Sequence, residues 1–141
     1  MHKPLQVLHV DDDMEDRWFF REGILEVDAT ILLTQFEDGT DLLNYLLGAT
    51  SGAPEVHLIV CDMQMNQMGG IGLLEAIKQL DAWKDIPVVI FSTSSFEGDM
   101  KQCLSKGAAA FFSKPGTYGE NLLVIRQMLR QYSLQPAATL A

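Results

Sequence analysis

Residues 5–13 read LQVLHVDDD, an apolar run broken only by Gln6 and His9 that ends on three aspartates. A continuous apolar run of this length is the pattern of a strand buried on both faces, rather than the alternation of a half-buried one. Three more runs follow the same plan. Residues 57–61 (HLIVC) lead into Asp62, residues 87–91 (PVVIF) into Ser92, and residues 108–113 (AAAFFS) into Lys114-Pro115. Laid side by side as parallel strands, all four deliver a polar group to one edge of a sheet. In open α/β sheets that carboxyl edge is where ligands bind. Carboxylates, a hydroxyl and an ammonium gathered there suit a metal ion and a phosphoryl group.

Residues 30–36 supply a further strand, and the segments between strands carry helical periodicity. The first helix is expected from Met14 with Asp13 as its N-cap, turning Trp18, Ile24 and Leu25 to the core with Phe19 or Phe20 beside them. Asp38-Gly39 turns into a short helix through Leu42, Leu43, Leu46 and Leu47. Residues 48–54 read as a loop. After Gly69-Gly70, the residues Leu73, Leu74, Ile77 and Leu80 form a stripe. A weaker helix over about residues 96–106 is expected to bury Met100, Cys103 and Leu104 and to end at Gly107. The last helix places Leu122, Ile125, Leu129 and Tyr132 on one face. Five strands alternating with five helices predict a parallel sheet covered by helices on both sides. A (β/α)8 barrel is excluded by length.

The chain has 141 residues and is 48% hydrophobic, enough for one domain with a real core. Its net charge of −9 argues against a nucleic-acid surface and fits a metal site or basic partners. No apolar stretch approaches a membrane span, and MHKPLQ lacks the apolar centre of a secretory signal. Cys61 and Cys103 do not suggest a disulfide framework, so a cytoplasmic protein is expected. Only residues 133–141 read as a loose tail, leaving 1–132 as one domain with no output domain after it.

Each polar group has a plain reading and a chemical one. Asp11-Asp12-Asp13 alone reads first as a solvated loop with one aspartate capping a helix; the chemical reading is a divalent-metal site, since Mg2+ needs only one or two carboxylates and keeps waters. Asp62 alone is equally a loop cap or a chemical group. Beside the first cluster it becomes a carboxylate that a cation keeps ionised, able to act as a nucleophile and form an acyl phosphate. Ser92 and Lys114 are individually weak, and a cis Lys114–Pro115 bond is one way to aim the lysine over the site. His9 reads as a packed histidine, His57 has no metal-ligand partner at a suitable spacing, and Cys61 reads as a core thiol. Gly69, Gly70 and Gly72 form no phosphate loop.

The ordered set Asp11-Asp12, Asp62, Ser92, Lys114-Pro115 resembles the receiver domain of bacterial two-component response regulators, over residues 5–130. FEDGTDLLNYL, KDIPVVIFSTSS and GAAAFFSKP are similar to single-domain, phytochrome-associated regulators of that family. The resemblance implies a flavodoxin-like, doubly wound (βα)5 sandwich with strand order 2-1-3-4-5. It implies that Asp62 is the phosphoacceptor and that Mg2+ (or Mn2+) is held by Asp11, Asp12, Asp62 and the backbone carbonyl of Gln64. Lys114 then pairs with the phosphoryl oxygens, Ser92 is the switch hydroxyl and Phe111 the aromatic switch. The implied donor is a sensor histidine kinase or a histidine phosphotransfer protein, and the output is a downstream protein or a homodimer on the face of the fourth helix, fifth strand and fifth helix. Two departures stand out. Asn66 replaces a usual proline, which implies a more mobile loop, and neither Gln64 nor Ser94, at positions that tune phosphoryl lifetime, is acidic. Two other classes remain: an interaction module that no longer uses phosphorylation, and a small aspartyl-phosphate phosphatase. Against the second, haloacid dehalogenase-class enzymes carry an acid two residues after the nucleophile, where this chain has Gln64.

Overall fold

The run at residues 5–10 forms β1 (Gln6–Val10) in the computed structural model, which describes residues 4–48, 55–65, 68–94 and 96–133. The elements then alternate: α1 (Met14–Val27), β2 (Leu32–Phe36), α2 (Gly39–Gly48), β3 (Leu58–Cys61), α3 (Gly70–Lys78), β4 (Val88–Ser92), α4 (Glu97–Ser105), β5 (Ala110–Ser113) and α5 (Tyr118–Met128). One wider, π-type turn, Leu129–Ser133, prolongs α5. Every strand pair is parallel, and the order is β2-β1-β3-β4-β5. The fold is therefore the flavodoxin-like sandwich. Chain direction across the sheet reverses between β1 and β3, and ligand crevices form at such a reversal.

Because successive strand side chains point to opposite faces, β1, β3 and β4 feed two separate cores. Leu8, Val10, Ile59, Cys61, Val88 and Ile90 pack with Leu42, Leu46, Leu73, Leu74, Ile77 and Cys103 of α2, α3 and α4. Val7, Leu58, Val60, Val89 and Phe91 pack with Phe20, Ile24, Ile125 and Met128 of α1 and α5. The three central strands are buried on both faces, which is why they read as unbroken apolar runs.

Helix phases differ from expectation in places. In α1 the buried positions are Phe20, Gly23 and Ile24, whereas Trp18 is 53% exposed and Leu25 43%. Apolar residues at 18, 19, 20, 24, 25 and 27 form two overlapping helical stripes, and periodicity cannot choose between them. The tertiary partner decides: Phe20 stacks on His9 with ring centroids 4.1 Å apart, and side-chain-free Gly23 lets Ile125 and Asn121 of α5 close in. Leu104 and Leu47 are likewise exposed and Met100 is only partly buried, so α4 buries Cys103 alone. In α5 and the turn that prolongs it the buried residues are Asn121, Ile125, Met128 and Leu129, with Leu122 and Tyr132 half-buried. Most of the loop at 48–54 and the tail beyond 133 lie outside the described residues.

Gly70 opens α3 against the segment that follows β3. Its N–H donates to the Met63 carbonyl at 2.8 Å, and a Cβ there would stand 2.7 Å from the Asp62 carbonyl oxygen and 2.9 Å from the Met63 Cα. Both are backbone atoms with little room to move. Gly70→Ala is expected to cost about 1–3 kcal/mol in urea denaturation and to disturb the backbone around Asp62, whereas Gly72→Ala, on the same helix and with only a Met68 side-chain atom at 3.6 Å, should be close to neutral.

Candidate functional site at the carboxyl edge of the sheet

Backbone bonds that continue the ladder set the site residues one step past their strands. The Asp11 N–H donates to the Phe36 carbonyl (3.1 Å), the Asp62 N–H to Val10 (3.0 Å) and the Lys114 N–H to Ser92 (2.8 Å). Strands from sequence positions about a hundred residues apart thus deliver their terminal side chains to one place. All four polar groups that end the apolar runs meet there.

Asp11, Asp12 and Asp62 each offer a carboxylate oxygen, and these three atoms lie within 4.8 Å of one another. Asp11 is fully buried and Asp62 nearly so. Lys114 Nζ reaches in from β5, 2.6 Å from Asp11 Oδ2, 2.8 Å from Asp16 Oδ2 and 3.6 Å from Asp62 Oδ2. The other Asp11 oxygen accepts the Asp13 N–H at 2.9 Å. Burial pushes the Asp11 carboxyl from 3.8 up to about 6, against the downward pull of the Lys114 hydrogen bond and charge. Burial also raises Asp62, opposed by Lys114, the Gln64 N–H and the Ser92 hydroxyl. For Lys114, burial lowers the pKa, but the bonds to Asp11 and Asp16 outweigh it and hold the ammonium firmly charged.

One ammonium does not neutralise this many carboxylates. A cluster of hard oxygen donors, with the Asp11 and Asp62 carboxyls raised by burial, is the environment a divalent cation relieves, and the donor chemistry suits Mg2+ or Mn2+ rather than a thiolate- or imidazole-seeking metal. Asp11, Asp12 and Asp62 are the side chains placed to hold it. Gln64 lies beside them, its N–H 3.4 Å from Asp62 Oδ1, and its side chain is exposed. Ser92 is fully buried at the end of β4 and hydrogen-bonds to Asp62. Phe111 pairs with Ile90 in the β4–β5 register and packs, partly buried, against the core shared by α2, α3 and α4.

The Lys114–Pro115 peptide is trans, as are all described peptide bonds, and the lysine reaches the carboxylates from that backbone. Asp13 is the α1 N-cap, accepting the Asp16 N–H at 2.9 Å. His9 is the packed histidine expected: its ring is buried on Phe20, and its pKa is lowered to about 3 by burial, then by Lys114 and Arg17. Cys61 is a core thiol pushed upward by burial, and His57 Nδ1 accepts the Gln6 N–H at 3.0 Å. Ser94 Oγ donates to Asp99 at 2.6 Å and accepts the Phe96 N–H at 3.3 Å, bracing the entry to α4. Asn66 lies outside the described residues.

Three supporting residues escaped the reading of strand ends because they lie within elements. Asp16, in the first turn of α1, is a second hydrogen-bond partner of Lys114. Arg17 donates to the Asp11 carbonyl at 2.7 Å. The Gln35 amide donates to the Arg17 carbonyl (2.7 Å) and to His9 Nδ1 (3.0 Å), tying β2 and α1 to β1 beneath the site. Asp16 reads in the sequence as an ordinary acidic residue of a first helical turn, and nothing local marks Arg17 or Gln35.

The sequence matches the response regulator receiver domain family over residues 7–126. It is 38% identical over 117 residues to the two-component response regulator ARR7 of Arabidopsis thaliana, covering 79% of this chain and 56% of that protein. It is 35% identical over 122 residues to ARR17 of the same plant, covering 82% and 78%. The chain thus spans little more than half the length of several relatives it matches. Its fold superposes on the phosphorylated cyanobacterial phytochrome response regulator RcpA with a TM-score of 0.83 at 20% identity, covering 92% of this chain and 94% of that one. For the Mn(2+)-bound form of the response regulator Rcp1 the TM-score is 0.81 at 22% identity, with 94% and 96% covered. With the carboxylate cluster at the same sheet edge from which the family resemblance was drawn, these matches establish that the chain belongs to the response regulator receiver domain family of two-component signalling systems.

Proposed function

We propose that Asp62 accepts a phosphoryl group from a phosphohistidine on a sensor histidine kinase or a histidine phosphotransfer protein, and that the resulting charge switches a protein-binding face. The observation that carries this is the meeting of Asp62 with Asp11 and Asp12 within 4.8 Å, under the Lys114 ammonium at 3.6 Å. An Asp62 carboxylate oxygen attacks phosphorus, the P–N bond to the donor imidazole breaks, and the imidazole leaves as neutral base after taking up a proton. Lys114 turns a donor toward the new phosphoryl oxygens. A divalent ion held by Asp11, Asp12, Asp62 and the Gln64 carbonyl supplies the remaining positive charge. The Ser92 hydroxyl, already bonded to Asp62, follows the phosphoryl oxygen, and Phe111 repacks behind it, altering the face of α4, β5 and α5. A shift between two packings needs only a few kcal/mol of differential stabilisation. Output is a protein contact or a homodimer on that face, in the cytoplasm, without nucleic acid or membrane and without turnover of an external substrate.

The decisive experiment pairs a small phosphodonor with a substrate screen. With Mg2+ and acetyl phosphate, intact mass should show one added phosphoryl group, lost again over time. Steady hydrolysis of external phosphomonoesters would instead support the phosphatase reading, and no uptake at all the phosphorylation-independent module.

Metal binding carries its own signature. The cation and protons compete for the same carboxylates, and Asp11 has been raised to about 6. Below that value the carboxyl is protonated and holds no cation. Mg2+ is therefore expected to raise the melting temperature clearly at about pH 7.5 and far less at about pH 5, measured by calorimetry with and without chelator. Equal shifts at both values would place the cation elsewhere.

A further inference from the structure

We propose that Asp16 is a positioning residue for Lys114, holding the ammonium toward α1 and so setting how readily Asp62 gains a phosphoryl group; this deepens the function just proposed and rests on it. The geometry around Nζ is unequal. An ammonium has three N–H donors. Two are taken at hydrogen-bond distance by Asp11 Oδ2 (2.6 Å) and Asp16 Oδ2 (2.8 Å), while Asp62 Oδ2 stands off at 3.6 Å. Asp11 is fixed: it is fully buried, and its second oxygen is committed to the Asp13 N–H. Asp16 differs from the other carboxylates around Nζ. It ends no strand, lies outside the Asp11, Asp12 and Asp62 cluster found among the described residues, and its side chain is about a third exposed. Its backbone is nevertheless rigid, because the Asp13 cap bonds its N–H and Arg17 and Gln35 staple the same turn to β1 and β2. The carboxylate is thus carried on a braced turn of α1 and holds the lysine at 2.8 Å, while Asp62 stands outside hydrogen-bond distance of the same ammonium.

The consequence follows from electrostatics. When a phosphoryl group arrives on Asp62, Lys114 must bring its charge and a donor to the new oxygens from 3.6 Å away, and the bond kept to Asp16 competes with that movement. Replacing the carboxylate with its isosteric amide weakens the tether without emptying the space. It frees the ammonium for the reacting oxygens and stabilises the transition state more than the ground state. The expected gain is roughly two- to fivefold in the rate of phosphoryl uptake, the range that a half-buried ion pair commands.

The test compares Asp16→Asn, Asp16→Glu and Glu15→Gln, the last an exposed carboxylate of the same helical turn whose loss changes net charge equally. Uptake from acetyl phosphate with Mg2+ is followed by intact mass, and the Lys114 ammonium is followed by 1H–15N NMR in the unphosphorylated protein. Asp16→Asn is expected to speed uptake and shift the ammonium signal. Glu15→Gln should do neither, and Asp16→Glu should return both toward wild type. Equal acceleration by Asp16→Asn and Glu15→Gln would reduce the effect to net charge and overturn the positioning role, as would an unmoved ammonium signal. A wild type that is phosphorylated while Asp16→Asn leaves its rate unchanged sinks this inference alone, whereas a folded wild type that takes up no phosphoryl group sinks the proposed function and this inference with it.

Discussion

Lys114→Met is expected to destabilise the metal-free protein by about 3 kcal/mol, one of the two largest effects foreseen for a single substitution. Lys114 Nζ is the cation against Asp11 Oδ2 at 2.6 Å, and Asp11 is fully buried. Removing one partner of such a pair leaves a charge in a low-dielectric site with no compensation. The cost is capped because Asp11 can shed its charge by binding a proton, and its pKa is raised even with the lysine present. The pH dependence follows in sign. A carboxyl whose folded pKa lies above its unfolded value binds protons more tightly when folded, so stability falls as pH rises through that window and the penalty is complete above the folded pKa. The defect of Lys114→Met should therefore be largest at about pH 7.5 and shrink toward about pH 5. Mg2+ should offset part of it at the higher value, since a divalent ion neutralises the same oxygens. Equilibrium urea denaturation at both pH values, with and without Mg2+, reads all three effects. A defect independent of pH and of Mg2+ would mean that Lys114 stabilises the fold by packing alone.

Asp62→Asn is expected to have two effects of opposite sign. Phosphoryl uptake from acetyl phosphate should fall below detection, because an amide is no nucleophile toward phosphorus at neutral pH. The metal-free protein should meanwhile gain about 1 kcal/mol, since the substitution removes a charge that burial already disfavours and leaves an oxygen to accept the Gln64 N–H. The melting temperature without metal should rise by a few degrees, and most of its increase on adding Mg2+ should vanish. Loss of uptake together with loss of stability would show only a damaged fold. The paired result, more stable yet inert, is what a carboxylate retained for chemistry predicts.

The topology was legible because the central strands are buried on both faces. A strand such as LIVC needs no partner information to be recognised, and a polar residue directly after it is conspicuous. Asp11, Asp62, Ser92 and Lys114 were found in this way, from position rather than from residue type. Helix phase was not legible where apolar residues outnumber what one face can bury. The size and spacing of Trp18 and Leu25 predict core positions, but Gly23 and Phe20 decide the packing, and a glycine gives no hydrophobic signal. The supporting residues were hidden for a related reason. Asp16, Arg17 and Gln35 act through bonds between α1, β1 and β2 whose register is set only when the sheet assembles. The Lys114–Pro115 bond shows the limit of a dipeptide signal. Pro115 permits either isomer, and the lysine meets Asp11 and Asp62 from a trans peptide.

The central claim is that Asp62, and no other group of the cluster, carries the phosphoryl bond. Four carboxylates and a serine lie near enough to one another that intact mass alone cannot assign it. The direct measurement is to incubate the protein with Mg2+ and acetyl phosphate, reduce it with borohydride, and map the peptides by mass spectrometry. Reduction converts an aspartyl phosphate to homoserine and leaves free aspartates and phosphoserine untouched. The predicted result is homoserine in place of Asp62 alone, dependent on Mg2+ and abolished by prior hydroxylamine treatment. Homoserine at Asp11, Asp12 or Asp16, phosphate retained on Ser92, or a folded protein with no modification would contradict it.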